Sequence, residues 1–363
     1  MTTSTSKPTP FNHVARQVGE AVQRRIDTLK IGQKMQDLPE ELWHESFRYY
    51  VKEDPNRKGG PNLRMIRLDP KRPSLTVTGY IYNKFVHPYE NRFISVREAA
   101  RLQGFPDDIK FEGALGSVQL QVGNAVPAPL ARAVFTQLAC HAKANGYDGK
   151  LSAFSLFSGA GGMDIGAEQS GGIDARVALE YWKDACDTLR GYFKDRLSVV
   201  QESILDVADP LEMWKRYSGL EGFPDIVYGG PPCQAFSQAG KQKALDDDRG
   251  RLIFEFLRFV ESLKPAYFVM ENVSNLRGVG GGELYQNILD KMNALGYEVT
   301  VAPLLAADFG AAQLRVRLFF VGVKRPLRHF EMPEPTHSDE QGLFSTESYL
   351  TVGDVFAGLP IIS

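Results

Sequence analysis

A chain of 363 residues with 43% hydrophobic and 24% charged side chains can bury a full core and is long enough for one large domain and a smaller one. A net charge of −2 excludes a molecule coated in positive potential, so a nucleic-acid partner would have to be held in a local cleft. No apolar run reaches bilayer-spanning length, MTTSTSKPTP lacks the basic-then-apolar order of a secretory signal, and Cys140, Cys186 and Cys233 are spaced too irregularly for a disulfide framework or a zinc site. This is the profile of a cytoplasmic chain whose thiols stay free.

The polar opening residues read as disordered. From about Phe11 to Leu29 the text predicts a helix, and a polar, proline-rich stretch follows through Pro73, the least globular part of the chain. Residues Ser95 to Phe105 carry helix-forming residues with one apolar side, stopped at Pro106-Asp107-Asp108. Pro127 to Ala144 reads as a further helix, capped at Asn145-Gly146, before a short polar link to Leu151. Beyond Leu151 the apolar runs LSAFSLF, ARVALE, LSVVQ, DIVYGG, AYFVMENV, YEVTVAPL and RLFFVGV alternate with helical segments. That alternation predicts an α/β fold with a doubly wound, mostly parallel sheet, whose ligand lies beyond the carboxyl ends of the strands at the topological switch point.

The first of these strands runs into FSGAGGMDIG, where Gly159, Gly161 and Gly162 permit a tight turn and close approach of a ligand to the backbone. Such a turn alone is equally a plain strand-to-helix connection. The second strand ends in Glu180-Tyr181, about twenty residues on, where an acid can accept from a ribose diol, and this favours a nucleoside-bearing cofactor without phosphates. DIVYGGPPCQAFSQAGKQ places Cys233 behind two glycines and two prolines, a rigid loop suited to holding a nucleophile, although a lone cysteine is commonly a buried structural thiol. Glu271, at the end of the next strand, either caps the following helix or donates a proton to a ring nitrogen. Arg315 and Arg317 alternate on entry to a strand and so share a face, as a surface pair or as cations aimed into the cleft.

Together these segments resemble the cytosine-5 DNA methyltransferase family. FSGAGG is similar to its cofactor loop, GGPPCQAFSQAG to its nucleophile loop, ENV to its catalytic glutamate block and QLRVR to its arginine block. REAARLQGFPDD and QVGNAVPAPLA are similar to the two blocks that normally close the family sequence, so the resemblance implies a circularly permuted order. It also implies an S-adenosylmethionine-dependent methyltransferase fold, with S-adenosyl-L-methionine bound by Phe157, Gly159, Gly161, Glu180, Tyr181, Ser203, Asn124 and Val126. Ser203 stands where the family often has an aspartate, and Ala312 where it usually has proline. The implied reaction adds Cys233 to carbon 6 of a cytosine flipped out of double-stranded DNA, with Glu271 at the ring nitrogen and Arg315 and Arg317 completing the catalytic set.

The resemblance divides the chain into residues 1–75 flanking the insertion point of the target-recognition domain, 76–150 carrying the closing blocks, 151–325 as the cofactor-binding and catalytic domain, and 326–363 leading back to that insertion point. The recognition domain itself is expected to be minimal or missing, supplied by a second subunit or a further segment. A prokaryotic methyltransferase of DNA, paired with a restriction enzyme, is the leading function; an RNA cytosine-5 enzyme acting on tRNA and a DNA-binding relative without catalysis are the alternatives.

Overall fold

The alternating text after Leu151 forms a seven-stranded sheet in the computed structural model, which describes residues 10–52, 65–79, 81, 84–232, 248–339 and 346–362. Its strands are β1 (Leu151–Leu156), β2 (Ile173–Glu180), β3 (Ser198–Gln201), β4 (Ile226–Gly229), β5 (Tyr267–Val273), β6 (Tyr297–Leu305) and β7 (Val316–Lys324), in the order 3-2-1-4-5-7-6. Strands β1 to β5 pair in parallel, whereas β7 runs antiparallel between β5 and β6. The strand order reverses at β1 and β4, which is where such sheets bind their ligands.

The helices, in chain order, are α1 (Glu20–Thr28), α2 (Glu45–Lys52), α3 (Val96–Leu102), α4 (Leu115–Asn124), α5 (Ala128–Ala144), α6 (Gly162–Gln169), α7 (Lys183–Phe193), α8 (Pro210–Ser218), α9 (Asp248–Leu263), α10 (Glu283–Ala294) and α11 (Val352–Phe356). One face of the sheet is covered by Trp214 of α8, Phe256 and Phe259 of α9 and Ile288 of α10. The other takes Val134, Phe135 and Leu138 of α5 with Met163 and Ala167 of α6. Local chemistry starts and stops several of these helices. Ser95 accepts from the Glu98 amide while the Glu98 carboxylate accepts from the Ser95 amide, a reciprocal cap for α3. Asp209 and Pro210 open α8, and Gly219, at φ 70°, closes it.

The helix expected from Phe11 begins only at Glu20. Residues 10–13 are instead drawn out along the block at 95–111. Asn12 adopts φ 60° and bonds both the amide and the carbonyl of Phe111, Arg97 holds the Phe11 carbonyl, and His13 bonds Ser95 Oγ. Nor are the described residues before Pro73 loosely attached: Ile26, Leu29, Met35, Leu38, Phe47, Met65 and Leu68 are buried in one core with α3, α4 and α7. Arg67, 4% exposed, stitches that core by donating to the carbonyls of Ile26, Leu29 and His87. Helices α2 and α4 were not anticipated.

The far end of the chain returns to the same place. Thr351 and Asp354 cap α11, the amides of Val352 and Gly353 donate to the carbonyls of Arg72 and Pro70, and Arg101 donates to those of Val355 and Ala357. His13 reaches the carbonyl of Pro360 at 2.8 Å.

Candidate active site

A cavity of about 660 Å³ opens at the carboxyl ends of β1 to β4, within the range of roughly 300–1,000 Å³ common for small-molecule sites. Phe157, Gly159, Glu180, Tyr181, Ser203, Asn124 and Val126 line it, joined by Glu271 and Gly230. The turn after β1 is shaped for close approach: Phe157 holds φ 55°, a strained value for a side-chain-bearing residue, and Gly159 follows at φ 54°. The Glu180 carboxylate fixes that turn, accepting from the Gly159 amide and the Trp182 amide at 2.8 Å each. Each oxygen keeps lone-pair capacity for a diol. Tyr181 stays 75% exposed on the wall, an aromatic face free to stack on a base. The hydroxyl of Ser203 accepts from the Leu205 amide at 3.3 Å. Gly161 does not line the cavity. It caps α6 at φ 86°, and a Cβ there would meet Leu189 Cδ2 at 2.8 Å. The donors, the diol acceptor and the aromatic wall fit an adenosyl ligand.

The second wall comes from the block at 121–126, and two glycines bring it close. A Cβ on Gly162 would lie 2.3 Å from the Val126 carbonyl oxygen, and one on Gly166 would lie 2.5 Å from Ala131 Cβ and 2.7 Å from the Arg132 amide. Helix α6 thus packs directly on α5 and on the segment before it.

At the inner end, β5 and β7 set the carboxylate of Glu271. Arg317 lies opposite Val273 in the antiparallel ladder, so its side chain reaches the diagonal neighbour Glu271, Nε to Oε1 at 2.8 Å. Burial raises the pKa of Glu271 above the usual carboxylate value, and the cations Arg317 and then Arg315 offset part of the rise. A carboxyl so placed holds a proton more readily than a solvated one, as a donor to a ring nitrogen requires. The reading of Glu271 as a helix cap does not hold, because it sits inside the strand. Gly230 is pressed against it, with room for a Cβ only 2.9 Å from Oε2.

Arg315 departs from the expectation that it shares the cleft face with Arg317. It is 1% exposed and donates to the carbonyls of Val77 at 2.6 Å and Gly123 at 3.0 Å, because the turn between residues 313–314 and β7 directs it toward the 74–123 block. Burial and then Arg317 weaken its hold on its proton, with Glu271 opposing. Gln313 has the same duty, bonding Leu102, Gln103 and the Val77 amide. Cys233 lies outside the described residues, one position past Pro232, which lines the cavity. Neither Cys140 nor Cys186 lines the cavity, and Cys186 is buried with its pKa pushed up to about 12 by desolvation.

Several functional residues escaped sequence reasoning. Asn272 donates to the Pro231 carbonyl at 3.1 Å and so holds the loop entering Cys233. Asp164 is fully buried in α6, accepts from the Tyr228 hydroxyl at 2.8 Å, and has no partner for Oδ2 among the described residues. Desolvation pushes its pKa up to about 6, against the pull of the Ser155 and Tyr228 hydroxyls. Trp182, Glu202, Arg251 and Leu252 also line the cavity. The tryptophan and Glu202 each follow a strand that sequence reading had placed, a signal that was available.

The family model for C-5 cytosine-specific DNA methylases matches residues 5–140 and 151–358. Among similar proteins, the type II methyltransferase M.AquIA of Picosynechococcus sp. is 39% identical over 230 residues, covering 57% of this chain and 88% of its own. M1.HphI of Haemophilus parahaemolyticus is 36% identical over 212 residues, and M.FnuDI of Fusobacterium nucleatum 34% over 193; the aligned part spans about half of each, 53%. The solved structure of a prophage-encoded methyltransferase from E. coli superimposes with a TM-score of 0.48 at 31% identity, covering 59% of this chain and 56% of that one. With the family match extending over both walls of the cavity, the chain belongs to the C-5 cytosine-specific DNA methylase family, whose reaction moves the methyl group of S-adenosylmethionine to carbon 5 of cytosine in DNA.

Proposed function

We propose that this chain methylates cytosine in double-stranded DNA through a covalent adduct on Cys233, with Glu271 and Arg317 serving the base. The observation that carries the reading is the buried Glu271 at the inner end of the cavity, paired with the half-buried Arg317 and beside the glycine–proline segment that leads into Cys233. Carbon 5 of cytosine is a weak nucleophile. Addition of the Cys233 thiolate at carbon 6 makes it enamine-like, and a protonated Glu271 at the ring nitrogen takes up the charge that builds there. Arg317 holds Glu271 in place and presents its remaining N–H groups to the ring carbonyl. When bound, S-adenosylmethionine supplies the electrophilic methyl group. Loss of the carbon 5 proton then expels the thiolate. The target base has to leave the duplex to reach this depth.

The permuted order belongs to the same proposal. It is supported by the short link at residues 145–150 between α5 and β1, by the break in the family match at 141–150, and by the bonding of residues 10–13 and 351–360 to one block. We assign residues 1–75 and 326–363 to the flanks of the recognition insertion point, 76–150 to the closing blocks and 151–325 to catalysis. Recognition of a DNA sequence is assigned to a second subunit or a further segment, because specific interfaces bury on the order of 1,000 Å² and the buried apolar side chains of the described residues before Pro73 serve the core around α3, α4 and α7. A prokaryotic cytoplasm fits these relatives, and among the described residues no helix is long and apolar enough to cross a membrane.

The test is a trap. DNA carrying 5-fluorocytosine should give a denaturation-stable adduct with the wild-type chain and cofactor, and none with Cys233→Ser, whose cofactor affinity stays near wild type. Turnover by the serine variant, or an adduct that maps to another residue, would overturn the role of Cys233. Methylation of tRNA but not of DNA in parallel assays would overturn the substrate.

A further inference from the structure

The charged side chains on the cavity wall are Glu180, Glu202, Glu271 and Arg251, so among the described residues a single cation faces three carboxylates. Arg251 lies in the first turn of α9, where a positive charge opposes the helix dipole, so helix stability does not account for it. Arg258, further along the same helix, is tied down by Glu255 and the carbonyls of Ile204 and Val207. Arg251 makes no such contact among the described residues; it is exposed, and its neighbour Leu252 lines the same wall.

We infer that Arg251 is the specificity-determining residue for the amino-acid end of the cofactor, pairing with the α-carboxylate of S-adenosylmethionine. This rests on the cofactor reading above. That ligand carries a sulfonium, an ammonium and one carboxylate. The carboxylate is repelled by Glu180 and Glu202, finds Glu271 already held by Arg317, and has one favourable place among the described wall residues, at Arg251. Glu180 would hold the ribose diol, which leaves the amino-acid end for Arg251. Arg251 therefore orients the ligand end to end and distinguishes the whole cofactor from adenosyl compounds that lack the amino-acid tail.

Calorimetry on Arg251→Met and Arg251→Lys reads this directly, with S-adenosylmethionine, S-adenosylhomocysteine and 5′-methylthioadenosine as probes. A charge-assisted hydrogen bond to a carboxylate corresponds to roughly 10- to 100-fold in affinity. The methionine variant should lose that factor for the first two ligands and bind 5′-methylthioadenosine as the wild type does, which also certifies a folded cavity. The lysine variant should recover part of the loss. Equal affinity of Arg251→Met and wild type for S-adenosylmethionine would overturn the inference. So would an unchanged cofactor affinity with DNA binding whose salt slope has fallen by about one, the mark of a phosphate contact. Failure of the wild-type chain to bind any of the three ligands would instead count against the cofactor reading itself.

Discussion

Replacing Gly162 with alanine puts a methyl group into the narrowest gap between the two walls of the cavity. The new Cβ would sit 2.3 Å from the Val126 carbonyl oxygen and 3.3 Å from Ala125 Cβ, where ordinary contact starts near 3.4 Å, so α6 and the 124–126 segment must part by about 1 Å. Both partners are backbone or backbone-proximal, and no flexible side chain is available to swing aside. Overpacking of this kind costs about 1–3 kcal/mol, and the better helix propensity of alanine returns up to about 1. The net expectation is a loss of about 1–2 kcal/mol in stability. Asn124, Ala125, Val126 and Gly162 all line the cavity, so the same displacement should weaken S-adenosylmethionine binding about tenfold. Thermal unfolding with and without cofactor, and calorimetry, measure both. Gly159→Ala is a control for stability alone: nothing lies within 4 Å of its Cβ, so its cost to folding is confined to backbone strain at φ 54°. A Gly162→Ala variant with wild-type melting temperature and cofactor affinity would refute the close approach of the two walls.

Two further perturbations test buried polar groups. Arg315→Met strands the carbonyls of Val77 and Gly123, and should destabilise the chain by about 2–5 kcal/mol, with Arg315→Lys retaining part; a methionine variant that melts like wild type yet cannot turn over would mean that Arg315 touches substrate rather than backbone. Asp164 binds its proton more tightly folded, at about 6, than unfolded, at 3.8, so its stabilising contribution is full below 3.8 and is lost as pH rises through about 6. Denaturant unfolding from pH 4 to 7 should show Asp164→Asn gaining on wild type by an amount on the order of 3 kcal/mol, and parallel pH profiles would show that Asp164 stays ionised in its pocket.

The sheet was legible because its strands are apolar runs with turn signals between them, and each observed strand falls within two or three residues of its expected place. The cavity was legible for the same reason: Glu180, Ser203 and Phe157 are marked by standing at strand ends. What sequence could not show is the duty of buried polar side chains whose partners are remote backbone atoms. Arg315 and Val77 are 238 residues apart, Gln313 and Leu102 211 apart, and no local pattern joins them. Arg67 in a polar stretch reads as surface until its five hydrogen bonds are seen. Gly162 reads from sequence as part of a ligand turn, but its absent side chain, with that of Gly166, chiefly lets α6 meet the 125–132 segment. The helix expected from Phe11 failed because Asn12, at φ 60°, and His13 have tertiary partners that this turn satisfies and a helix would not.

These remote bonds also bear on why the proposed permutation would leave the site intact. The wall at 121–126 and the wall at 157–162 meet through Gly162 and Gly166, while Gln313 and Arg315 tie both the 74–77 segment and the end of α4 to the strand that carries Arg317. None of these contacts depends on which block comes first along the chain. Covalent order enters only through residues 145–150, where the α5 end, the Tyr147 ring against Tyr267 and the start of β1 lie on one path across the amino ends of the strands. Closing so short a link costs little more entropy than the turn it replaces, because closure entropy grows only with the logarithm of loop length. The geometry that positions Glu271 is therefore maintained by packing between blocks. Damage to that packing, at Gly162 or Arg315, should cost this chain more than lengthening the 145–150 link.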